Sequence, residues 1–268
     1  MTTEFENLRV EVDGGLGRIT LDRPERLNAL SPATLHELRE AAHWFDARPE
    51  VRVVVLCGEG RAFTAGADLT DPPGASASPE SGLPWHERRE AGQIGLRTID
   101  ALEGMRAVTV AQLHGYVIGG GVLLAAACDM RVAADDTVFS IPEVDIGIPL
   151  AWGGIPRLVR EIGPALTKEL VITCRRFSAE EARSFGFLNR VVPAAQLESE
   201  VKALVDSVLD KPSVPVTITK EHVNSVARSM AAGSTSFSDG DALMGVLTDP
   251  EYRKAAKRYK DRTIHRKK

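Results

Sequence analysis

The chain has 268 residues, of which 43% are hydrophobic and 26% charged, and its formal net charge is −4. That length suits one large domain, or a domain with a smaller appended piece, and the composition excludes a solvated, disordered chain. The small negative balance gives no basis for nucleic acid as the main partner, and no apolar run reaches the roughly 18 residues that span a bilayer.

Leu8, Val10 and Val12 alternate with polar residues, and Arg18-Ile19-Thr20-Leu21 follows Asp13-Gly14-Gly15. The pattern predicts two strands about a glycine-rich turn. Ser31-Pro32 predicts a helix start, with Ser as N-cap and Pro at the first helical position, and Leu35, Leu38, Ala42 and Phe45 continue at helical spacing. The apolar, β-branched run 51–57 predicts a buried strand. Residues 71–83 are rich in Pro, Ser, Gly and Ala and read as a mobile loop. A helix is expected over 85–103, a strand over 109–113, and a glycine-led, fully buried helix over 119–128. Short strands follow at 130–133 and 137–141. Ser178-Ala179-Glu180-Glu181 is a capping box, and Val201, Leu204, Val205, Val208 and Leu209 mark an amphipathic helix. From Pro215 onward the chain reads as helical. Strands alternate with helices to about residue 145 and helices dominate afterwards, so the expected class is an α/β core with a C-terminal helical part.

Cys57, Cys128 and Cys174 lie far apart with no CxxC or zinc-type spacing. They are expected to be free thiols in a reducing compartment, with Cys57 and Cys128 serving as core residues. Residues 1–7 carry acids and no apolar segment of the kind a signal peptide needs. A soluble, cytoplasmic protein is therefore expected. The basic stretch 253–268 reads first as a solvated face, with contact to an anionic ligand as the alternative.

Three segments could carry chemistry. In Ala62-Phe63-Thr64-Ala65-Gly66-Ala67-Asp68-Leu69, small side chains after a strand let a ligand approach the backbone. In His114-Gly115-Tyr116-Val117-Ile118-Gly119-Gly120-Gly121, three glycines open a helix, where free N–H groups favour negative charge. Tight helix–strand packing is the alternative, and the spacing is not that of a dinucleotide site. In the third, 140–149, Glu143 and Asp145 are carboxylates among apolar residues. Desolvation there would raise a carboxyl pKa and make a better base near neutrality, whereas a solvated loop would leave both as ordinary surface acids.

Together these segments resemble the crotonase (enoyl-CoA hydratase/isomerase) superfamily over nearly the whole chain. The resemblance also rests on Arg23-Pro24-Glu25-Arg26-Leu27-Asn28-Ala29-Leu30, Ala127-Cys128-Asp129-Met130-Arg131, Gly153-Gly154-Ile155-Pro156-Arg157-Leu158 and Phe177-Ser178-Ala179-Glu180-Glu181-Ala182. It implies an α/β fold, a crotonase-like spiral of ββα units over 1–195, followed by a C-terminal helical trimerisation region over 196–268. It further implies a homotrimer or homohexamer acting on an acyl-CoA, with coenzyme A entering as part of the substrate and no separate cofactor or metal. On the matching positions, the amides of Ala67 and Gly120 look like the oxyanion-hole donors and Glu143 like the acid/base. The substrate and CoA contacts implied are Arg26, Asn28, Ala29, Ala65, Gly66, Asp68, Leu69, Gly119, Leu123 and Trp152. Lys257 and Lys260 are further CoA-contact candidates, from charge alone.

One departure bears on mechanism. Hydratases of this superfamily use two glutamates, and the position matching the first is Leu123. Hydration needs a deprotonated water and a proton delivered to carbon; leucine can do neither. A single glutamate suffices to move a proton from C2 to C4 of a 3-enoyl-CoA, so an enoyl-CoA isomerase is the expectation. The alternatives are a hydratase with an unusual second acid at Asp145 or Asp68, an acyl-CoA hydrolase or C–C-cleaving enzyme, and a non-catalytic acyl-CoA-binding protein. Trp152 either narrows the acyl pocket or packs in the core. Trp85 and His86 either line a lid or begin a surface helix.

Overall fold

The computed structural model describes residues 5–230 and 236–265; the ends of the acidic N-terminus and of the basic C-terminus lie outside the described residues. The chain opens with the antiparallel pair β1 (Leu8–Asp13) and β2 (Leu16–Leu21). Next come α1 (Pro32–Asp46), β3 (Val53–Gly58), α2 (Trp85–Gly104), β4 (Val108–Leu113), β5 (Tyr116–Ile118) and α3 (Gly120–Ala127). They are followed by β6 (Met130–Ala134), β7 (Val138–Ser140), α4 (Glu143–Ile146) and α5 (Gly154–Thr173), the last broken at Gly163-Pro164. β8 (Phe177–Ser178), α6 (Ala179–Ser184) and β9 (Arg190–Val192) complete the strands, and α7 (Leu197–Leu209), α8 (Ser213–Met230), α9 (Asp239–Val246) and α10 (Pro250–His265) end the chain.

The predicted caps form. Ser31 Oγ accepts from the Thr34 amide at the start of α1, and at α6 Ser178 and Glu181 bond each other's backbone reciprocally. Six strands make one sheet in the order β1-β2-β3-β4-β6-β9, parallel from β2 onward, and β5-β7-β8 make a second. Isolated parallel bridges, Leu30 with Ala67 and Thr64 with Val117, extend the second layer to earlier turns of the chain. Each turn therefore runs from a long strand to a short segment of the second layer and then to a helix. β2, Leu30 and α1 form one such unit; β3, the 64–67 segment and α2 the next; β4, β5 and α3 the third. This is the expected spiral of ββα units.

Period-two alternation explains the continuous apolar run at β3. Val54 and Leu56 join the main core with Leu35, Phe45, Phe63, Ile99 and the residues of α3. Val53, Val55 and Cys57 face the other way, where Leu197, Val201, Leu204 and Val205 of α7 cover them. Residues 71–83, expected to be mobile, contain two short 3-10 turns, with Ala77 buried. β5 is not apparent from the sequence pattern, because its glycine-rich surroundings hide a three-residue strand. No helix among the described residues is long and apolar enough to cross a membrane.

Candidate active site

The first turn of α3 gathers three loops. The 27–30 segment pairs with 65–68: Ala65 N–H donates to Leu27 O (2.9 Å), Leu30 N–H to Gly66 O (2.8 Å) and Asp68 N–H to Leu30 O (2.9 Å). The 63–64 segment in turn pairs with the approach to α3, with Phe63 N–H donating to His114 O (2.9 Å) and Thr64 N–H to Tyr116 O (3.0 Å). The Gly119 amide donates to Ser140 O at 2.8 Å, which brings the end of β7, and hence Glu143, to the same place.

Asn28 fixes this junction. Its backbone is left-handed (φ 55°), it is 1% exposed, and its side chain accepts from Arg23 N–H and donates to Glu59 O and Ala62 O. Thr64 Oγ1 donates to its carbonyl at 2.6 Å. The Asn28 side chain is thus engaged within the protein and sets the shape of the 23–30 loop. Asp68 is similarly engaged: it is 4% exposed, pairs with Arg23 at 3.0 Å and accepts from Thr70 N–H and Oγ1. Its carboxyl is held below the ordinary carboxylate range because these hydrogen bonds and Arg23 outweigh the opposing effect of burial, the largest single influence. Arg26 and Leu69 are exposed at the rim, while Ala29, Ala65 and Ala67 are half-buried beside them.

The Ala67 and Gly120 amides donate to no acceptor among the described residues. Gly120 is the first residue of α3, whose opening N–H groups have no intrahelical acceptor. Gly119 precedes it without a side-chain cap (φ 53°, ψ −116°). α3 is buried along its whole length, so the positive end of its dipole acts in a low-dielectric surrounding. Two free amides flanking one junction suit an oxygen that gains negative charge during reaction.

Glu143 stands at the start of α4, directly against Gly119. A Cβ on Gly119 would lie 2.6 Å from Glu143 Oε1 and would push the carboxyl aside, and the positive φ there itself favours glycine. Glu143 Oε2 is buried and has no hydrogen-bond partner among the described residues. Burial drives its pKa up from 4.5 to about 7, slightly offset by a backbone amide. A carboxyl tuned in this way can both take and return a proton near neutrality.

The other proposed acids do not share this setting. The 143–146 segment is a helical turn, so the two-residue alternation of a strand does not put Asp145 on the face of Glu143. Asp145 is exposed and lies 3.5 Å from Arg262 of α10. Leu123 is 1% exposed and belongs to the main core; a Cβ on Gly154 would come within 2.7 Å of it. Trp152 is half-buried, with left-handed backbone (φ 58°), and its ring lies against Gly95 and Gly120. Lys257 and Lys260 are exposed on α10.

Two residues near Glu143 and Trp152 were not legible in the sequence as neighbours of the site. α10 packs on α4, with Ala255 and Tyr252 close against Gly147. It brings up Tyr259, whose hydroxyl pKa is raised by burial and then by the Glu143 and Asp145 carboxylates. Asp239, at the start of α9, accepts from the Gly153 amide at 2.7 Å, and burial raises its pKa. Both come from the far C-terminal helices, where helical periodicity gives no sign of what a residue faces.

Residues 11–264 match the enoyl-CoA hydratase/isomerase family model. The chain is 34% identical over 221 residues to a crotonyl-CoA hydratase of Syntrophomonas wolfei, covering 82% of each chain. It is likewise 34% identical over 221 residues to a peroxisomal Delta(3,5)-Delta(2,4)-dienoyl-CoA isomerase of Arabidopsis thaliana, covering 81% of this chain and 80% of that one. Among solved structures, an enoyl-CoA hydratase/isomerase from Mycobacterium paratuberculosis superposes with a TM-score of 0.83 at 26% identity, covering 94% of this chain and 98% of the other. The chain belongs to the enoyl-CoA hydratase/isomerase family, and its fold is the crotonase spiral.

Proposed function

We propose that this enzyme moves the double bond of a 3-enoyl-CoA to the 2-position, with Glu143 as the only proton carrier. The observation that carries the reading is the Glu143 carboxyl beside Gly119, its Oε2 buried and without a hydrogen-bond partner among the described residues, with no companion carboxylate at Leu123. The thioester oxygen accepts from the Ala67 and Gly120 amides. Glu143 takes a proton from C2, and the electron pair delocalises into a dienolate whose charge rests on that oxygen. The same carboxyl then returns the proton at C4, leaving the 2-enoyl thioester with its mass unchanged. Removing one oxyanion donor typically costs about 10²–10³ in kcat, so the two amides are assigned much of the acceleration. The kinship to both a hydratase and a dienoyl-CoA isomerase supports an acyl-CoA substrate and leaves the choice of reaction to the site residues. Arg26 and the backbone of Ala29, Ala65, Gly66 and Leu69 are the groups proposed to meet coenzyme A.

The test supplies purified protein with 3-enoyl-CoA and, separately, 2-enoyl-CoA, and follows products by mass. Conversion of the first without mass change, abolished in Glu143→Gln and retained in Asp145→Asn, is the expected result. Addition of one water to the 2-enoyl substrate would overturn the single-carboxyl mechanism, and release of free CoA would replace isomerisation by hydrolysis. We also propose a homotrimer or homohexamer, supported by the exposed Val214, Ile218, Val223, Val226 and Met230 of α8. Light scattering that returns a monomer mass would refute it.

A further inference from the structure

Trp152 sits in a gap lined on two sides by glycine. A Cβ on Gly95 of α2 would lie 2.2 Å from three atoms of the indole, and one on Gly120 of α3 would lie 2.3 Å from Cζ3. The ring therefore touches the Cα of the same residue whose amide is a proposed oxyanion donor. Glu143 stands against Gly119 and Trp152 against Gly120, so base and indole bracket the first turn of α3. An acyl chain whose carbonyl accepts from the Gly120 amide therefore starts beside the indole.

The indole is also fixed in place. Trp152 holds a left-handed backbone conformation, which a bulky residue seldom adopts unless its surroundings impose it. Those surroundings are identifiable at the next residue. The Gly153 amide donates to Asp239 Oδ2 at 2.7 Å, and the Gly153 carbonyl accepts from Arg157 Nη1 at 3.2 Å. Arg157 is held in turn by Asp100 at 2.8 Å and Glu103 at 2.6 Å. The ring remains half-buried, as a wall of an open pocket must be.

We infer that Trp152 closes the acyl pocket and restricts the enzyme to short acyl chains, with Gly95 as the space that admits the ring and Asp239 as the group that positions its loop. The inference rests on the reading that the Ala67 and Gly120 amides hold a thioester oxygen, and it does not depend on which reaction follows.

Binding of unreactive saturated thioesters separates the two readings. Acetyl-, butanoyl-, octanoyl- and decanoyl-CoA are titrated calorimetrically against the full-length protein and against Trp152→Ala. An unobstructed apolar pocket gains about fourfold in affinity per buried methylene. The wild type is expected to tighten from acetyl to butanoyl and to weaken at least tenfold by decanoyl. Trp152→Ala is expected to continue tightening through octanoyl, and Trp152→Phe, which preserves most of the packing, to fall between. Steadily rising affinity in the wild type would overturn the inference even if no variant folds, as would an unchanged length profile in a folded Trp152→Ala. Failure of every acyl-CoA to bind would overturn the ligand reading and this inference together. A short-chain preference without isomerase activity would leave the inference standing and remove only the proposed reaction.

Discussion

Replacing Glu143 with glutamine should make the protein more stable at alkaline pH while destroying its activity. In the folded chain the carboxyl titrates at about 7 instead of 4.5, mainly because burial penalises its charge. Each pH unit of displacement corresponds to about 1.4 kcal/mol. The raised pKa means that the folded state holds the proton more tightly than the unfolded state. The fold therefore bears no penalty below about pH 4.5, loses stability as pH rises through 7, and levels off above it. The full displacement amounts to about 3 kcal/mol, and solvent reaching a half-buried residue lowers the expected effect to about 1–3 kcal/mol. Glutamine carries no charge at any of these pH values. Urea unfolding of both proteins, at one protein concentration and at about pH 5 and about pH 8.5, isolates this effect because all other titrating groups cancel. The variant should gain markedly more on the wild type at the higher pH, because at about pH 5 only a small part of the penalty has set in. In parallel, kcat/KM of the wild type should rise with pH through about 7, as the base loses its proton. An equal stability difference at both pH values would refute the reasoning, since it would mean that Glu143 is solvated like an ordinary surface acid.

Ala67→Pro removes one of the two proposed oxyanion donors and should lower kcat by about 10²–10³ with a smaller change in KM, measured by steady-state kinetics. Gly119→Ala places a methyl 2.6 Å from Glu143 Oε1 at a left-handed φ. It should displace the proposed base and lower activity at least tenfold while leaving acyl-CoA binding measurable by calorimetry. Asn28→Ala leaves the Glu59 and Ala62 carbonyls and the Arg23 amide without their partner. At about 1 kcal/mol per lost bond, it should lower unfolding free energy by about 2–4 kcal/mol in a denaturant titration, the left-handed backbone adding to the loss.

Much of the fold was written in local pattern. Ser31-Pro32 and the Ser178–Glu181 box predicted helix starts that the structure contains, because a cap depends only on neighbours along the chain. The apolar run ending at Cys57 likewise announced a strand covered on both faces. Glu143 and the glycines before α3 were recognisable as a carboxyl and a turn with chemical potential. The sequence could not show that Asn28 and Asp68 are occupied inside the protein, because their partners come from segments about 30 and 45 residues away.

The sequence by itself determined the family, the order of elements, the glycine-led helix and the absence of a second glutamate at Leu123. Each of these is a matter of residue identity or short-range spacing. Only the tertiary structure decided that Asp145 turns toward Arg262, that Tyr259 approaches Glu143 from α10, and that Trp152 lies between Gly95 and Gly120. These are contacts between elements far apart along the chain. Whether an acid acts as a base, or an aromatic ring as a wall, follows from what surrounds it, and burial and close packing are fixed only when the helices close on the spiral.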